Sequence, residues 1–409
     1  MTKEITGIWL AELALKDFAG HYFSYINSIY RVARSHQLQF CAWASIESTK
    51  DILDYFPVVP VFHALSYRSY LSPLLYFLID PIVANCFFYH DLKSQGKKYL
   101  DKRSMVLSVT ALHVNLIAWA MWLRRFRPSD APVLVLMLHF SFYKFSKKNW
   151  SFSVIWLQAG LWMLERIADH YRIFLTTDSA ILAEEYRRLT HLPIYVLPIP
   201  HTTSAKKKNN SSPRITDVIR MVSLGGMRIN KGFDLLAKSI EILSKNNEFH
   251  GISFELQCYQ SQLGSEGATS VTLLKRLGLS NVELIERSLD QDAYMQLLEN
   301  SDVVLIPYFR DIYHANTSGI FAEALAAGKP VIVTDGTWMS DQLEHYGAGV
   351  TFRDQDVDDL SRAICEARDN YPRLAAQALE RRAAWLAYHN PDNFVDELLK
   401  IVSGPESRL

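Results

Sequence analysis

Cysteine is scarce and scattered: Cys41, Cys86, Cys258 and Cys365 are the only four in 409 residues, and no two form a CxxC pair. Thiols so far apart supply neither a zinc-type ligand cluster nor a redox couple, so they read as reduced core residues of a cytosolic protein. Charge of one sign is also lacking. With 43 Lys plus Arg against 43 Asp plus Glu the formal net charge is zero, which argues against a polyanion such as nucleic acid as partner. No uninterrupted apolar run is long enough to span a bilayer: the most apolar stretch, Leu71 to His90, is broken by Asp80 and Pro81 and reads as buried helix. The opening MTKEITGIWLAELALKDF carries acidic residues where a signal peptide needs an apolar core, so a cytoplasmic protein is expected.

What is present is ordinary for a globular chain: 49% hydrophobic, 12% aromatic and 21% charged residues. At roughly 150 residues per domain, this length predicts two large domains or three small ones. The segment HTTSAKKKNNSSPR, His201 to Arg214, has no apolar periodicity and is dense in Lys, Asn, Ser and Pro. It reads as an exposed connection, with Lys206 to Lys208 as solvated charge. The expected organisation is one domain over residues 1–205, a linker over 206–215, a second domain over 216–385, and a C-terminal helix over 386–409 that crosses back to the first.

Short apolar runs alternate with helical patterns on both sides of the linker. Upstream, SMVLSVTAL, APVLVLMLHF and RIFLTTDS alternate with HVNLIAWAMWLRRF, WLQAGLWMLERIADHY and ILAEEYRRL; downstream, VIRMVSLGG, FELQCYQ, VELIERS, DVVLIPY and PVIVTD alternate with helical stretches at 233–245, 292–299 and 320–327. These are βα units, with strands too apolar to be half-exposed, so each half is expected to be an open parallel α/β sheet. Ligands of such sheets bind beyond the strand ends.

Two downstream segments carry chemistry. In VSLGGMRINKGFDLL, Gly225 and Gly226 turn the chain out of a strand, and Arg228 and Lys231 sit in the loop before the next helix. Two cations beside a helix N-terminus suit a diphosphate, although solvated cations in a plain strand-to-helix turn would show the same residues. In DVVLIPYFRDIYHANTSGIFAEALAAGKPVIVTDGTW, Ser318 and Gly319 open a helix that carries Glu323. Thr317, Ser318 and Gly319 offer amides and hydroxyls for a phosphate, and Ser318 suits a helix cap equally well. Near the helix start, the dipole should keep Glu323 ionised, able to accept hydrogen bonds from both hydroxyls of a ribose.

These two segments resemble the C-terminal domain of retaining, nucleotide-sugar-dependent glycosyltransferases of family 4, also called group 1. The resemblance implies a GT-B fold, in which two Rossmann-like domains with parallel sheets face an interdomain cleft, and a donor held mainly by the C-terminal domain. It implies no cofactor and no catalytic metal, with a nucleoside-diphosphate sugar as donor and a glycan, glycolipid or small molecule as acceptor. Arg228 and Lys231 match the family's diphosphate-neutralising pair, with Gly226 beside them, and Glu323 matches its ribose-binding glutamate. The family's other glutamate, which faces the transferred sugar, has its place at Ala315; Asp311 and His314 are the nearby candidates to replace it. Upstream, Gly20 and His21 in DFAGHYFSY match the glycine loop near the donor phosphate, and His139 in VLVLMLHFS matches the histidine that orients the sugar. His139 is as readily a core histidine, and His113 is a second candidate.

The reaction so implied is attack by an acceptor hydroxyl on the anomeric carbon with departure of the diphosphate, the leaving charge stabilised by Arg228, Lys231 and the amides around Ser318. Asp354-Gln355-Asp356 reads as a solvated turn and not as a metal-binding pair. Two rivals remain: a degenerate nucleotide-sugar-binding or scaffold protein, made conceivable by Ala315, and an epimerase of the same fold. Peripheral contact with a membrane is compatible with aromatic segments such as HALSYRSYLSPLLYF.

Overall fold

The computed structural model describes residues 5–18, 21–63, 79–94, 99–200, 217–246, 248–259 and 268–404. The chain divides into two units, Met1–His201 together with Asn390–Leu409, and Thr202–His389. The linker at 206–215, Gly20 and the stretch HALSYRSYLSPLLYF from Ala64 onward lie outside the described residues.

The first unit contains strands β1 (Gly7–Ala11), β2 (Gln39–Ser45), β3 (Val58–Phe62), β4 (Ser104–Ser108), β5 (Val133–Met137), a short ribbon of β6 (Tyr143–Lys144) and β7 (Asn149–Trp150), then β8 (Ile173–Thr177) and β9 (Ile194–Val196). Apart from the ribbon they form one sheet in the order β3-β2-β1-β4-β5-β8-β9, and every described pairing in it is parallel. All residues of β4, β5 and β8 are buried, as strands covered on both faces must be. Helix His21–Ser35 lays Phe23, Ile26, Ile29 and Val32 on one face of this sheet.

The C-terminal helix belongs to this same core. Phe394, Val395, Leu398 and Val402 of helix Pro391–Ser403 are fully buried in it, and the Arg172 guanidinium donates to the Val402 carbonyl at 2.5 Å. That helix starts at Pro391, where Asn390 caps it through the Asn393 amide; the preceding helix, Tyr371–Tyr388, contains Trp385 and stays with the second unit.

The second unit is a sheet of β10 (Ile219–Ser223), β11 (Ile252–Gln257), β12 (Val282–Ile285), β13 (Val303–Ile306), β14 (Val331–Thr334) and β15 (Gly349–Phe352) in the order β12-β11-β10-β13-β14-β15, again parallel throughout its described pairings. Helix Phe233–Lys245 buries Phe233, Leu236, Ala237, Ile240 and Leu243, the stripe its sequence spacing predicts. In both sheets the strand order reverses direction at one place: between β1 and β4 in the first, between β10 and β13 in the second. The C-terminal ends of strands at such a reversal are where open parallel sheets form their ligand crevice.

Two expectations are corrected by burial. Only Cys258 is a core thiol; Cys86 is exposed, and Cys41 and Cys365 are half-buried, all four being free. The described part of the Leu71 to His90 stretch lies in helix Asp80–Ser94, which is not a buried apolar helix. Its buried positions include the polar Asp80, Asn85 and Asp91, whereas Ile82 and Phe87 are exposed. The polar side chains are inward because they have work there: Asn85 accepts from the Ala118 amide at 2.9 Å, and Asp91 accepts from the His63 amide at 2.9 Å.

Candidate functional site

The residues singled out downstream converge at the reversal between β10 and β13. Gly225 leaves β10 with φ +93°, and its amide donates to the Gln257 side chain at 2.7 Å. Gly232 has φ +69°, and a Cβ there would lie 2.0 Å from the Pro307 carbonyl oxygen, so no other residue fits. The Phe309 amide donates to the Asn230 carbonyl at 2.9 Å and fastens the loop after β10 to the loop after β13.

This fastening sets the cations. The Lys231 ammonium lies 5.3 Å from the centre of the Tyr308 ring and beside Gly225, where a Cβ would come within 3.0 Å of it. Burial, and then repulsion from Arg228, pull the Lys231 pKa down to about 8. Arg228 itself is exposed. Two cations that repel one another, one of them partly stripped of water, form an environment that an anion would relieve. An aromatic wall backs them: Tyr308 and Tyr313 have ring centres 4.5 Å apart, and Arg228 is an electrostatic neighbour of both.

Across the crevice, Ser318 caps helix Gly319–Ala326 by accepting from the Phe321 amide at 3.3 Å. The hydroxyl is therefore used as a cap, and the amides of the first turn are the groups left to meet a ligand. Thr317 is half-buried beside it. Glu323, one turn into the helix, accepts a hydrogen bond from the Tyr294 hydroxyl. Burial pushes its pKa up to about 7 although the Tyr294 bond opposes the rise. The expectation that the helix dipole keeps this carboxylate firmly ionised is thus corrected: desolvation outweighs the dipole.

Ala315 is fully buried, so its side chain offers nothing where the family resemblance places a glutamate. His314 is buried with Nδ1 3.2 Å from the Arg310 carbonyl of its own helical turn, and Asp311 is half-buried in helix Arg310–Tyr313. Asp354 and Asp356 serve the chain: Asp354 accepts from the Arg310 amide at 3.1 Å, and Asp356 caps helix Val357–Asp369. Among the described residues, no three His, Cys, Asp or Glu side chains are grouped to hold a metal ion. A cavity of about 540 Å³ lies elsewhere in this unit, between β12 and helix Gln291–Asn300, lined by Glu255, Glu283 and Glu286. Its acidic lining makes it a poor place for a phosphate.

In the first unit the polar residues gather at the matching end of the sheet. Glu12, 1% exposed just after β1, accepts from the Ala14 amide at 2.8 Å and the Thr110 hydroxyl at 2.7 Å. His139, just after β5, has Nδ1 3.0 Å from the Asp178 carboxylate and Nε2 2.6 Å from the Val109 carbonyl. Both partners are acceptors, an arrangement that favours a ring carrying protons on both nitrogens. Burial alone would lower the His139 pKa, but Asp178, the Val109 carbonyl and Glu12 together raise it. Both ring nitrogens of His139 thus have partners within the first unit. His113 is half-buried edge-on to Phe142 at 4.9 Å, and burial pushes its pKa down to about 4, leaving it neutral. His21 opens helix His21–Ser35.

Sequence reasoning missed Tyr294, Tyr308, Asp178 and Glu12. Tyr308 directly follows the strand-ending Pro307 and was within reach; Tyr294 and Asp178 meet their partners only through the fold.

Comparison with known proteins bears on this geometry. Residues 219–370 match the family described as Glycosyl transferases group 1. Within the second unit the chain is thus similar to group 1 glycosyl transferases. The match contains Arg228, Lys231, Ser318 and Glu323, and so covers the whole of the β10 and β13 crevice. Among solved structures, the sucrose-phosphate synthase of Thermosynechococcus elongatus superposes with a TM-score of 0.69 at 14% identity, over 97% of this chain and 98% of that one. A glycosyltransferase from Rickettsia africae gives 0.67 at 11% identity over 97% of each chain. HepE from Anabaena, in complex with UDP and glucose, gives 0.62 at 13% identity over 97% of this chain and 99% of its own. At such identities the likeness establishes the fold, which is GT-B. No curated protein matches the chain in sequence.

Proposed function

We propose that the protein transfers a sugar from a nucleoside-diphosphate sugar to an acceptor hydroxyl, with retention of configuration and without a catalytic metal. The observation that carries this reading is the juxtaposition, at one strand-order reversal of a unit similar to group 1 glycosyl transferases, of Lys231 and Arg228 on one side and Glu323 on the other. The diphosphate would lie against the two cations and the first-turn amides of helix Gly319–Ala326, and the ribose hydroxyls would donate to Glu323. As the anomeric bond breaks, negative charge grows on the departing phosphate, and fixed positive groups lower the barrier most if they are aimed at that charge. The UDP and glucose bound by HepE support a donor of this class. A glycan, glycolipid or small-molecule hydroxyl completes the reaction as acceptor, and retention follows the family resemblance.

One observation favours a second reading, nucleotide-sugar binding without turnover. The fully buried Ala315 supplies no carboxylate toward the transferred sugar. Release of free nucleoside diphosphate from UDP-, GDP-, ADP- and TDP-sugars by the purified protein separates the two. Release that Arg228→Ala abolishes supports the transferase; binding with no release from any donor supports the binding protein.

A further inference from the structure

Between His139 and Glu165 the chain has no acidic residue, and its only charged side chains are Lys144, Lys147 and Lys148. In a protein of zero net charge this is a local excess of three positive charges. The structure puts all three lysines at the exposed tip of the β6-β7 ribbon, where Lys148 turns the chain with φ +48°. The Tyr143 and Trp150 rings, 5.5 Å apart, brace the ribbon below that tip.

The helix that follows, Val154–Ala168, has two apolar faces. Leu157, Gly160, Leu161, Leu164 and Ile167 are buried, and Gly160 lets the helix approach so closely that a Cβ there would fall 2.5 Å from Leu116 Cβ of the neighbouring helix. On the opposite face, Ile155 is 60% and Trp162 is 56% exposed, at helical spacing, and Phe152 just before the helix is 77% exposed. The Arg166 guanidinium sits 5.0 Å over the Trp162 ring at the far end of this stripe. The neighbouring helix Leu116–Leu123 also carries an exposed Met121. Large apolar side chains turned outward in a row, beginning beside three lysines and ending at Trp162, with the half-buried Glu165 next to Arg166 beyond it, are costly in water and are not required by the core.

We propose that this face, made by the Lys144 to Lys148 tip and the Phe152, Ile155 and Trp162 stripe, docks the protein on a bilayer containing anionic lipids. Lysines on flexible stems reach phosphate-level charge, and aromatic and aliphatic side chains enter the boundary of the acyl region beneath it. A second copy of the chain would present the same positive tip, so charge complementarity favours the anionic surface over self-association. The helix is too short and too polar on its ends to cross the membrane, and no helix among the described residues is long and apolar enough to do so. The contact is therefore peripheral. It stands apart from the donor chemistry and holds whether or not the crevice in the second unit turns over a sugar.

Flotation of the full chain with vesicles of phosphatidylcholine alone, and of phosphatidylcholine with phosphatidylglycerol, tests it. The expected result is flotation only with the anionic vesicles, weakened by salt, and reduced about fivefold for each of Lys144→Gln, Lys147→Gln and Lys148→Gln. Phe152→Ser with Ile155→Ser should lower it as well, while the thermal transition stays in place because these side chains are exposed. Absence of flotation with anionic vesicles, or flotation indifferent to both sets of changes, overturns the proposal. A dimer that Ile155→Ser dissociates, without any vesicle binding, also overturns it and assigns the face to a second copy.

Discussion

The hydroxyl of Tyr294 donates to the carboxylate of Glu323, joining helix Gln291–Asn300 to the helix that opens at Ser318. This bond holds the carboxylate in place and pulls its pKa down against the larger effect of burial. Replacing Tyr294 by Phe removes a hydrogen bond that steadies the charged carboxylate and should weaken donor binding by about threefold to tenfold. Glu323→Ala should weaken it further, since the ribose then loses its acceptor. Titration calorimetry with the accepted nucleotide sugar reads both; equal affinity in wild type and Glu323→Ala would remove Glu323 from the site.

Donor affinity should pass through a maximum with pH. Glu323 accepts ribose hydroxyls best when ionised, so affinity rises as pH increases through its pKa of about 7. Lys231 attracts the diphosphate only when protonated, so affinity falls as pH rises through about 8. A nucleotide sugar has no phosphate group titrating between these values. Glu323→Gln should flatten the acidic limb and Lys231→Met the alkaline one, and a flat profile in the wild type would contradict both assignments.

Asp178 is the main group that favours the charged form of His139. A histidine whose folded pKa is raised stabilises the fold fully below its unfolded value, and loses that contribution as pH rises through the folded value. Asp178→Asn should therefore lower the urea midpoint in mildly acidic solution, with the difference from wild type shrinking toward alkaline pH. The His139 ring resonances should titrate at lower pH in the variant. Unchanged titration would show that Asp178 does not hold the ring.

Gly232→Ala tests the fastening of the two crevice loops. With φ +69° and the Pro307 oxygen in the path of a Cβ, the substitution should destabilise the second unit by about 2 kcal/mol or more. Denaturant unfolding measures this, and an unaltered midpoint would mean that the loop pairing is looser than its geometry indicates.

Much of this was legible in the sequence because it is local. Helix Phe233–Lys245 announces itself by apolar spacing, and the strands by runs too hydrophobic to be exposed on either face. Arg228, Lys231 and Glu323 could be singled out because they lie at or just beyond recognisable strand-to-helix turns in segments that carry a family resemblance. What was illegible depends on contacts distant in sequence. The pKa of Glu323 is set by burial and by Tyr294, the protonation of His139 by Asp178 and Val109, and the inside-out polarity of helix Asp80–Ser94 by Ala118 and His63. No pattern within a single segment encodes these pairings.

The central claim is that the crevice between β10 and β13 binds a nucleoside-diphosphate sugar. Its most direct test is equilibrium binding of UDP-, GDP-, ADP- and TDP-sugars to the purified wild type and to Lys231→Met and Glu323→Ala, near pH 7.5. The account predicts saturable binding of at least one donor, weakened by about tenfold or more in each variant. Failure of every donor to bind the folded wild type, or binding that both variants leave unchanged, would contradict it.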